Sequence, residues 1–310
     1  MAPTKAPRTS DARAVSHHDG PPTLRLWPGD APGHADYRAP ELPVDQPAEF
    51  LRAIEVPTLT VFRAPKPDGR ALLVCPGGAY RFVSIASEGV DVARVFNSCG
   101  ITVFVLAYRL PCEGWANRAD VPLQDAQRAM RRIRANADRF AIEPDRLGVL
   151  GFSAGGHLAA SLATRWDEPV YASVDEADAH SARPASAGLI YPVITLSLPH
   201  AHIGSRDNLL GVDAPPTLVA KRSPDLDVRD DTPPCFIAHA EDDGVVPIEN
   251  AELMKAALDA KSVRAQLVRY AQGDHAFGVG RPGTGTDAWP RLFCEFGAVG
   301  DGRPLANARR

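Results

Sequence analysis

The sequence predicts an α/β fold, a mostly parallel central sheet with helices on both faces. Three observations predict it. From Ala71 to Phe296, short apolar runs alternate with helix-compatible stretches, the pattern of successive strand–helix–strand units. The central runs lack the polar alternation of a half-solvated strand, so they suit strands buried on both faces. Finally, the run Leu147 to Phe152 ends in Gly151-Phe152-Ser153-Ala154-Gly155 and passes at once into a helix-compatible run, His157 to Arg165. That is a strand, a sharp turn and a helix, with a serine at the apex.

In chain order, residues 1 to about 22 are rich in proline and polar residues and read as a flexible tail. Leu24 to Pro57 remains proline-dense, but Leu26, Trp27, Tyr37 and Phe50 suggest an extended arm packed on the domain. Leu59 to Arg63 alternates like a half-buried strand, and Asp68-Gly69 supplies a turn. Strands are expected at Ala71–Cys75, Ile101–Tyr108, Leu147–Phe152, Ala187–Ile194, Pro234–Ala240 and Ala265–Tyr270. Helices are expected at 87–98, 121–140, 157–165, 247–258 and 287–296. Arg128, Arg131, Arg132 and Arg134 make the long helix basic and read as a solvated outer face, since no aromatic residues are interleaved. The stretches about 166–185 and 195–231 break the rhythm; loops that long suit a lid or pocket wall above the strand ends. The organisation is thus one domain over 23–300, with a C-terminal tail at 301–310.

Bulk properties exclude several function classes. A chain of 310 residues with 45% hydrophobic content suits one large α/β domain. A net charge of −4 argues against a nucleic-acid partner. Five scattered cysteines without a C-x-x-C pair suggest a reducing compartment. No run approaches a membrane span, and Met1 to Gly20 holds no apolar core of a secretory signal, so a cytoplasmic protein without membrane partners is expected. Oligomeric state is not legible.

The elbow directs the search for chemistry. Glycines two before and two after Ser153 leave room for a strained turn that lifts the hydroxyl and aims the Ala154 N–H at whatever the serine attacks. A serine hydroxyl needs a base, and the base needs a carboxylate to orient it. On such a sheet these follow in the order acid, then histidine, each after a strand. After Phe236 to Ala240 come Glu241, Asp242 and Asp243; after Leu267 to Tyr270 comes Gly273-Asp274-His275. His275 lies in a glycine-rich loop after a late strand and is the expected base. His157 on the elbow helix reads as packing, and His239 lies inside a strand. Between Asp242 and Asp243, position alone does not choose. The small residues after the first central strand, Cys75-Pro76-Gly77-Gly78-Ala79-Tyr80, let backbone N–H groups approach an oxyanion. Gly78, Ala79 and Ala154 are the expected donors, with Gly77 shaping the turn. His200, His202 and Asp207 complete no recognisable zinc spacing, so no metal is expected.

These stretches resemble the α/β-hydrolase superfamily, and more narrowly the esterase/lipase group that includes acetylxylan-esterase-like bacterial enzymes. The resemblance rests on Leu26 to Gly33, Val74 to Tyr80, Glu88-Gly89, Val105 to Leu110, Gly151 to His157, Tyr191 to Val193, Asn208 to Gly211 and the Asp243 and His275 segments. The segment Asp243-Gly244-Val245-Val246-Pro247 resembles the Asp-x-x-Val-Pro pattern that carries the acid, which favours Asp243 over Asp242. Two departures stand out: Ala79 replaces a third glycine, and the histidine loop reads Gly-Asp-His-Ala-Phe-Gly. The resemblance implies a Ser153, His275, Asp243 hydrolase of short-chain, acetyl-type carboxylic esters, without metal or organic cofactor. The substrate would be a small-molecule ester or an acetylated xylo-oligosaccharide. An arylformamidase-like amidase shares the chemistry, and a catalytically silent ligand-binding protein shares the scaffold.

Overall fold

The computed structural model describes residues 20–297. Apart from residues 20–22, both expected tails lie outside the described residues. Among these residues, eight strands form one sheet. In chain order they are β1 (Thr23–Arg25), β3 (Thr58–Phe62), β4 (Gly69–Cys75), β6 (Thr102–Ala107), β7 (Ile142–Phe152), β8 (Ala187–Ile190), β9 (Cys235–Ala240) and β10 (Ala265–Tyr270), while β2 (Phe50–Leu51) and β5 (Val83–Ser84) pair separately. Spatially the order is β1-β3-β6-β4-β7-β8-β9-β10. The strands from β6 to β10 run parallel, and β3 joins β6 antiparallel.

The side-chain period of two divides the apolar residues between two cores. Leu73 and Cys75 of β4, Phe104 and Leu106 of β6, and Ile237 of β9 enter one core. Their neighbours Leu72, Val74, Val103, Val105 and Phe236 enter the other. Helices α2 (Val121–Ala135), α3 (Ala137–Phe140), α4 (Ser153–Thr164) and α7 (Glu249–Ala260) supply the first core; α1 (Asp91–Asn97) and α8 (Trp289–Glu295) supply the second. Two shorter helices, α5 (Ile203–Leu210) and α6 (Pro216–Lys221), lie within the long excursion between β8 and β9. The α/β-hydrolase architecture read from the sequence is therefore the observed one. No helix among the described residues is long and apolar enough to cross a membrane.

Four details differ from the sequence reading. The expected helix 121–140 breaks at Asn136, whose Nδ2 donates to Arg132 O at 2.8 Å and so competes for a helical carbonyl. The expected helix 87–98 opens with a π-helical turn, Ala86–Val90, before α1. The proline-dense arm contributes an edge strand: β1 pairs antiparallel with β3, and Leu26 and Trp27 are buried behind it. The basic face of α2 is not a solvated surface. Arg128 is fully buried, with ion pairs to Asp175 and Asp178; Arg131 donates to Tyr171 Oη, and Arg134 to the carbonyls of Ser181 and Arg183. Segment 166–185 is thus held against α2 by guanidinium groups that satisfy its backbone and acids.

A second buried guanidinium ties the arm to the sheet. Arg109 forms a fully buried pair with Asp125 and also donates to Gln124 and to Pro32 O, while Trp27 Nε1 donates to Asp125 at 2.9 Å. Removing the anion leaves an uncompensated charge in the core. Asp125→Ala is expected to lower unfolding free energy by about 3–5 kcal/mol, measured by urea denaturation; a loss under about 1 kcal/mol, the scale of an exposed pair, would contradict this reading.

Candidate active site

Four loops meet at the C-terminal edge of the parallel strands: after β4 (Gly77 to Tyr80), after β7 (Ser153), after β9 (Asp243) and after β10 (His275). At the elbow, Ser153 takes a left-handed φ of 52°, a conformation costly for a residue with a Cβ. The flanking glycines are required by close packing. A Cβ on Gly155 would lie 2.1 Å from Cys75 O, and one on Gly151 would lie 2.1 Å from Gly155 O. Ser153 itself is buried, only 7% exposed.

His275 Nε2 lies 2.9 Å from Ser153 Oγ, and its Nδ1 lies 2.7 Å from Asp243 Oδ2. The other carboxylate oxygen, Asp243 Oδ1, accepts the N–H groups of Val245 and Val246, each at 2.9 Å. Burial alone would raise the Asp243 carboxyl, but hydrogen bonds from His239, His275 and the Val246 N–H and the nearby His275 charge hold it well below the usual carboxylate range. Asp242 is turned elsewhere: its Oδ1 accepts the N–H of Asp274 at 2.7 Å and so braces the loop that carries His275. Asp274 and Ala276, on either side of His275, both have positive φ.

The loop after β4 is pinned plane by plane. Gly77 O accepts from Ser84 N, and Gly78 O accepts from Arg81 N and Phe82 N. In a trans peptide the N–H points opposite its carbonyl, so the N–H groups of Gly78 and Ala79 are turned away from the loop's own turn. The Ala79 carbonyl is in turn held by Asn208 Nδ2 at 2.8 Å. Gly77 abuts Ser153, since a Cβ there would meet Ser153 Cβ at 2.9 Å. Ala154, second in α4, has no intrahelical acceptor for its N–H. The structure thus brings Ser153, Asp243 and His275 into one hydrogen-bonded chain and sets Gly78 and Ala79 on the loop after β4, with Ala154 at the start of α4.

Several supporting residues were not singled out for a role by sequence reasoning. His239, at the end of β9, places Nε2 3.1 Å from Asp243 Oδ2 and 3.0 Å from Val246 O; facing two acceptors, this nitrogen carries the proton. His157, expected to pack, also binds: Nε2 lies 2.8 Å from Arg222 O and Nδ1 2.7 Å from Tyr80 Oη. A carbonyl can only accept, so Nε2 donates and Nδ1 accepts from the tyrosine. Burial lowers this imidazole to about 4, keeping it neutral. Beneath the loop, Glu88 accepts from Gly77 N and Tyr191 Oη. Glu88 and His157 fall in stretches that carry the family resemblance, while the signal for His239 is that it is the polar residue of the otherwise apolar β9.

The two long segments take different places. In the 195–231 excursion, Asn208 on α5 reaches the loop after β4, and Arg118 donates to the carbonyls of Asp207 and Asn208. His202 caps α5 through Ser205, and His200 lies 3.9 Å from Glu249. Among the described residues no group of three or more His, Cys, Asp or Glu is placed to hold a metal ion.

Comparison with known proteins agrees with this architecture. The BD-FAE family model matches residues 66–258. An acetylxylan esterase of Xylanibacter ruminicola is 33% identical over 226 residues, covering 72% of this chain and 44% of that protein. The endo-1,4-beta-xylanase B of Butyrivibrio fibrisolvens is 36% identical over 213 residues, 67% of this chain and 32% of that protein. The chain therefore spans less than half the length of these two relatives. Among solved structures, an acetyl ester-xyloside bifunctional hydrolase from Caldicellulosiruptor lactoaceticus superposes with a TM-score of 0.75 at 33% identity, over 92% of this chain and all of the other. With the elbow, the strand order and a family match over more than half its length, the chain belongs to the BD-FAE family and has the α/β-hydrolase fold.

Proposed function

We propose that the protein is a serine carboxylic-ester hydrolase acting on short acyl esters, acetyl above all, with an acetylated xylo-oligosaccharide as the natural kind of substrate. The observation that carries this reading is the continuous relay from Ser153 Oγ through His275 to Asp243, at 2.9 and 2.7 Å, beside the loop after β4, whose Gly77 and Gly78 carbonyls are taken up by its own turn. Ser153 Oγ bonds to the acyl carbon as its proton passes to His275 Nε2, and the charged imidazole is stabilised by Asp243. The N–H groups of Gly78, Ala79 and Ala154 take the oxyanion. The proton on Nε2 then goes to the departing alcohol. A water that loses its proton to His275 releases the acid and restores the serine. The named relatives support the acyl group: one is an acetylxylan esterase, and one solved structure is an acetyl ester-xyloside hydrolase.

The test is hydrolysis of p-nitrophenyl esters from acetyl to dodecanoyl, alongside acetylated xylo-oligosaccharides and an N-formyl arylamine. Acetyl is expected to exceed dodecanoyl in kcat/KM by about 10- to 200-fold, the discrimination an acyl pocket supplies. Turnover of the formamide without turnover of esters would replace this reading with an amidase. A folded protein that turns over neither, and whose Ser153 resists a phosphonate label, would be a ligand-binding protein.

A further inference from the structure

Glu88 is a carboxylate buried at 5% exposure in the middle of this machinery, and the relay just described does not use it. Its Oε2 accepts the Gly77 N–H at 2.6 Å. The same peptide plane is held from its other end, where Tyr108 Oη donates to Pro76 O at 2.7 Å. Its Oε1 accepts the Tyr191 hydroxyl at 2.8 Å. That hydroxyl oxygen accepts the Gly278 N–H at 3.1 Å, three residues beyond His275, and the Tyr191 ring packs edge-on against the His275 imidazole with centroids 4.9 Å apart. One carboxylate therefore joins the loop that offers the oxyanion donors to the loop that carries the base. The π-helical turn Ala86–Val90 carries Glu88 into this gap, a device common at functional sites.

We propose that Glu88 is a positioning residue for ester hydrolysis, setting the oxyanion loop and the His275 loop in register and lending its negative charge to the imidazolium that forms on proton transfer. The proposal rests on the esterase reading above. Glu88 exchanges no proton or bond with substrate; it acts through Gly77, Tyr191 and His275. Both its oxygens face donors, the arrangement that an ionised carboxylate satisfies and a protonated one does not. Burial holds its carboxyl above the usual carboxylate range, and the Tyr191 hydroxyl, the Gly77 N–H and the positive charge of His275 offset only part of that rise; it is the pair of donors on its two oxygens that selects the ionised form. The coupling to His275 is reciprocal: what the imidazolium does for the carboxylate, the carboxylate does for the imidazolium. The other groups that face His275 are Asp243 on Nδ1, His202 across the site, the Tyr191 ring, and Arg281 on its backbone carbonyl with Asp274 beside it. Of these, Asp243 and Glu88 are the buried acids.

The test compares wild type, Glu88→Gln and Tyr191→Phe with p-nitrophenyl acetate, reading kcat, KM and the acid limb of kcat/KM against pH. Folding is checked by thermal denaturation, and Ser153 by phosphonate labelling. Glu88→Gln keeps the shape and removes the charge. Its kcat is expected to fall about 10- to 100-fold, short of the loss of a whole oxyanion donor, with KM nearly unchanged. The acid limb of kcat/KM is expected to move to lower pH, because losing a neighbouring anion disfavours the charged form of the base. Tyr191→Phe keeps the charge but cuts the link, so kcat falls while the limb moves less; this variant decides the matter if Glu88→Gln fails to fold. A limb that stays put in a folded Glu88→Gln, or a kcat within twofold of wild type, overturns the inference alone. A wild type with no ester turnover and no Ser153 label overturns the proposed function, and the inference with it.

Discussion

Replacing Ser153 by alanine is expected to lower kcat for p-nitrophenyl acetate between about ten-thousand-fold and a million-fold. The size of the effect follows from what the hydroxyl supplies. In the proposed reaction it is the atom that bonds the acyl carbon and the donor of the proton that His275 takes, so removing it would leave the proposed oxyanion loop and substrate binding to act alone. The substitution is conservative for the fold. Ser153 is buried at the start of α4, its Oγ bonds His275, and alanine occupies the left-handed φ of 52° at a cost like that of serine. Thermal stability should therefore stay near wild type while turnover and phosphonate labelling both vanish. A purified Ser153→Ala protein retaining more than about one-tenth of wild-type kcat would exclude Ser153 as the nucleophile, since no nucleophile is dispensable to that degree.

Asp243→Asn should produce a loss of about ten-thousand-fold in kcat, for a different reason. Oδ1 accepts two backbone N–H groups, so the asparagine oxygen is held on that side and the NH2 is turned toward His239 and His275. A donor then faces His275 Nδ1 where an acceptor stood. The ring must answer with a lone pair on Nδ1 and a hydrogen on Nε2, the tautomer that cannot take the proton of Ser153. Held well below the usual carboxylate range, Asp243 stays ionised through the neutral region, so the deficit should persist across that region rather than appear at one pH. Asp242→Asn serves as the internal comparison. Asp242 meets only the Asp274 N–H among the described contacts of its carboxylate, and its replacement should leave kcat within a few-fold. If the two substitutions exchanged effects, the assignment of the acid would be wrong.

The elements legible from sequence were those in which one physical rule dominates. Ala71–Cys75 of β4, Val103–Ala107 of β6, Leu147–Phe152 of β7 and Cys235–Ala238 of β9 are continuous apolar runs because both faces are covered, and periodicity reads that directly. Ser153 stood out because part of the steric reason for its glycines is local: a Cβ on Gly151 would strike Gly155 O within the same turn, although Gly155 itself is required by the distant Cys75 O. His275 and the acidic pair were found from their position after strands in a parallel sheet, although position could not separate Asp242 from Asp243. What separates them in the structure is which way each carboxylate points, a property of the turn and not of the letters. Arg128 shows the converse failure. On a helical wheel it looks like surface charge, but its partners Asp175 and Asp178 lie some fifty residues away, and no local pattern announces a pairing across that distance. His239 was read only as lying inside a strand, and its partners Asp243 and Val246, four and seven positions on, meet it through the turn after β9. Glu88 and Asn208 fell within stretches that carry the resemblance, but their roles rest on residues distant in sequence: Tyr191 lies 103 positions from Glu88, and Ala79 129 positions from Asn208.

That last contact bears on how such a protein can be redesigned. The excursion between β8 and β9 looks like a module to exchange when a different alcohol is wanted. Yet its α5 supplies the amide that fixes the Ala79 carbonyl, and Arg118 from the turn before α2 ties down the end of the same helix. On the proposed function, selectivity and turnover would share one fastening. A graft cut at 195 and 231 would carry away part of the support for the loop after β4 along with the excursion itself. A redesign that keeps Asn208 and its neighbours on α5 and varies the chain around Val212 and Leu226, both exposed, would separate the two properties.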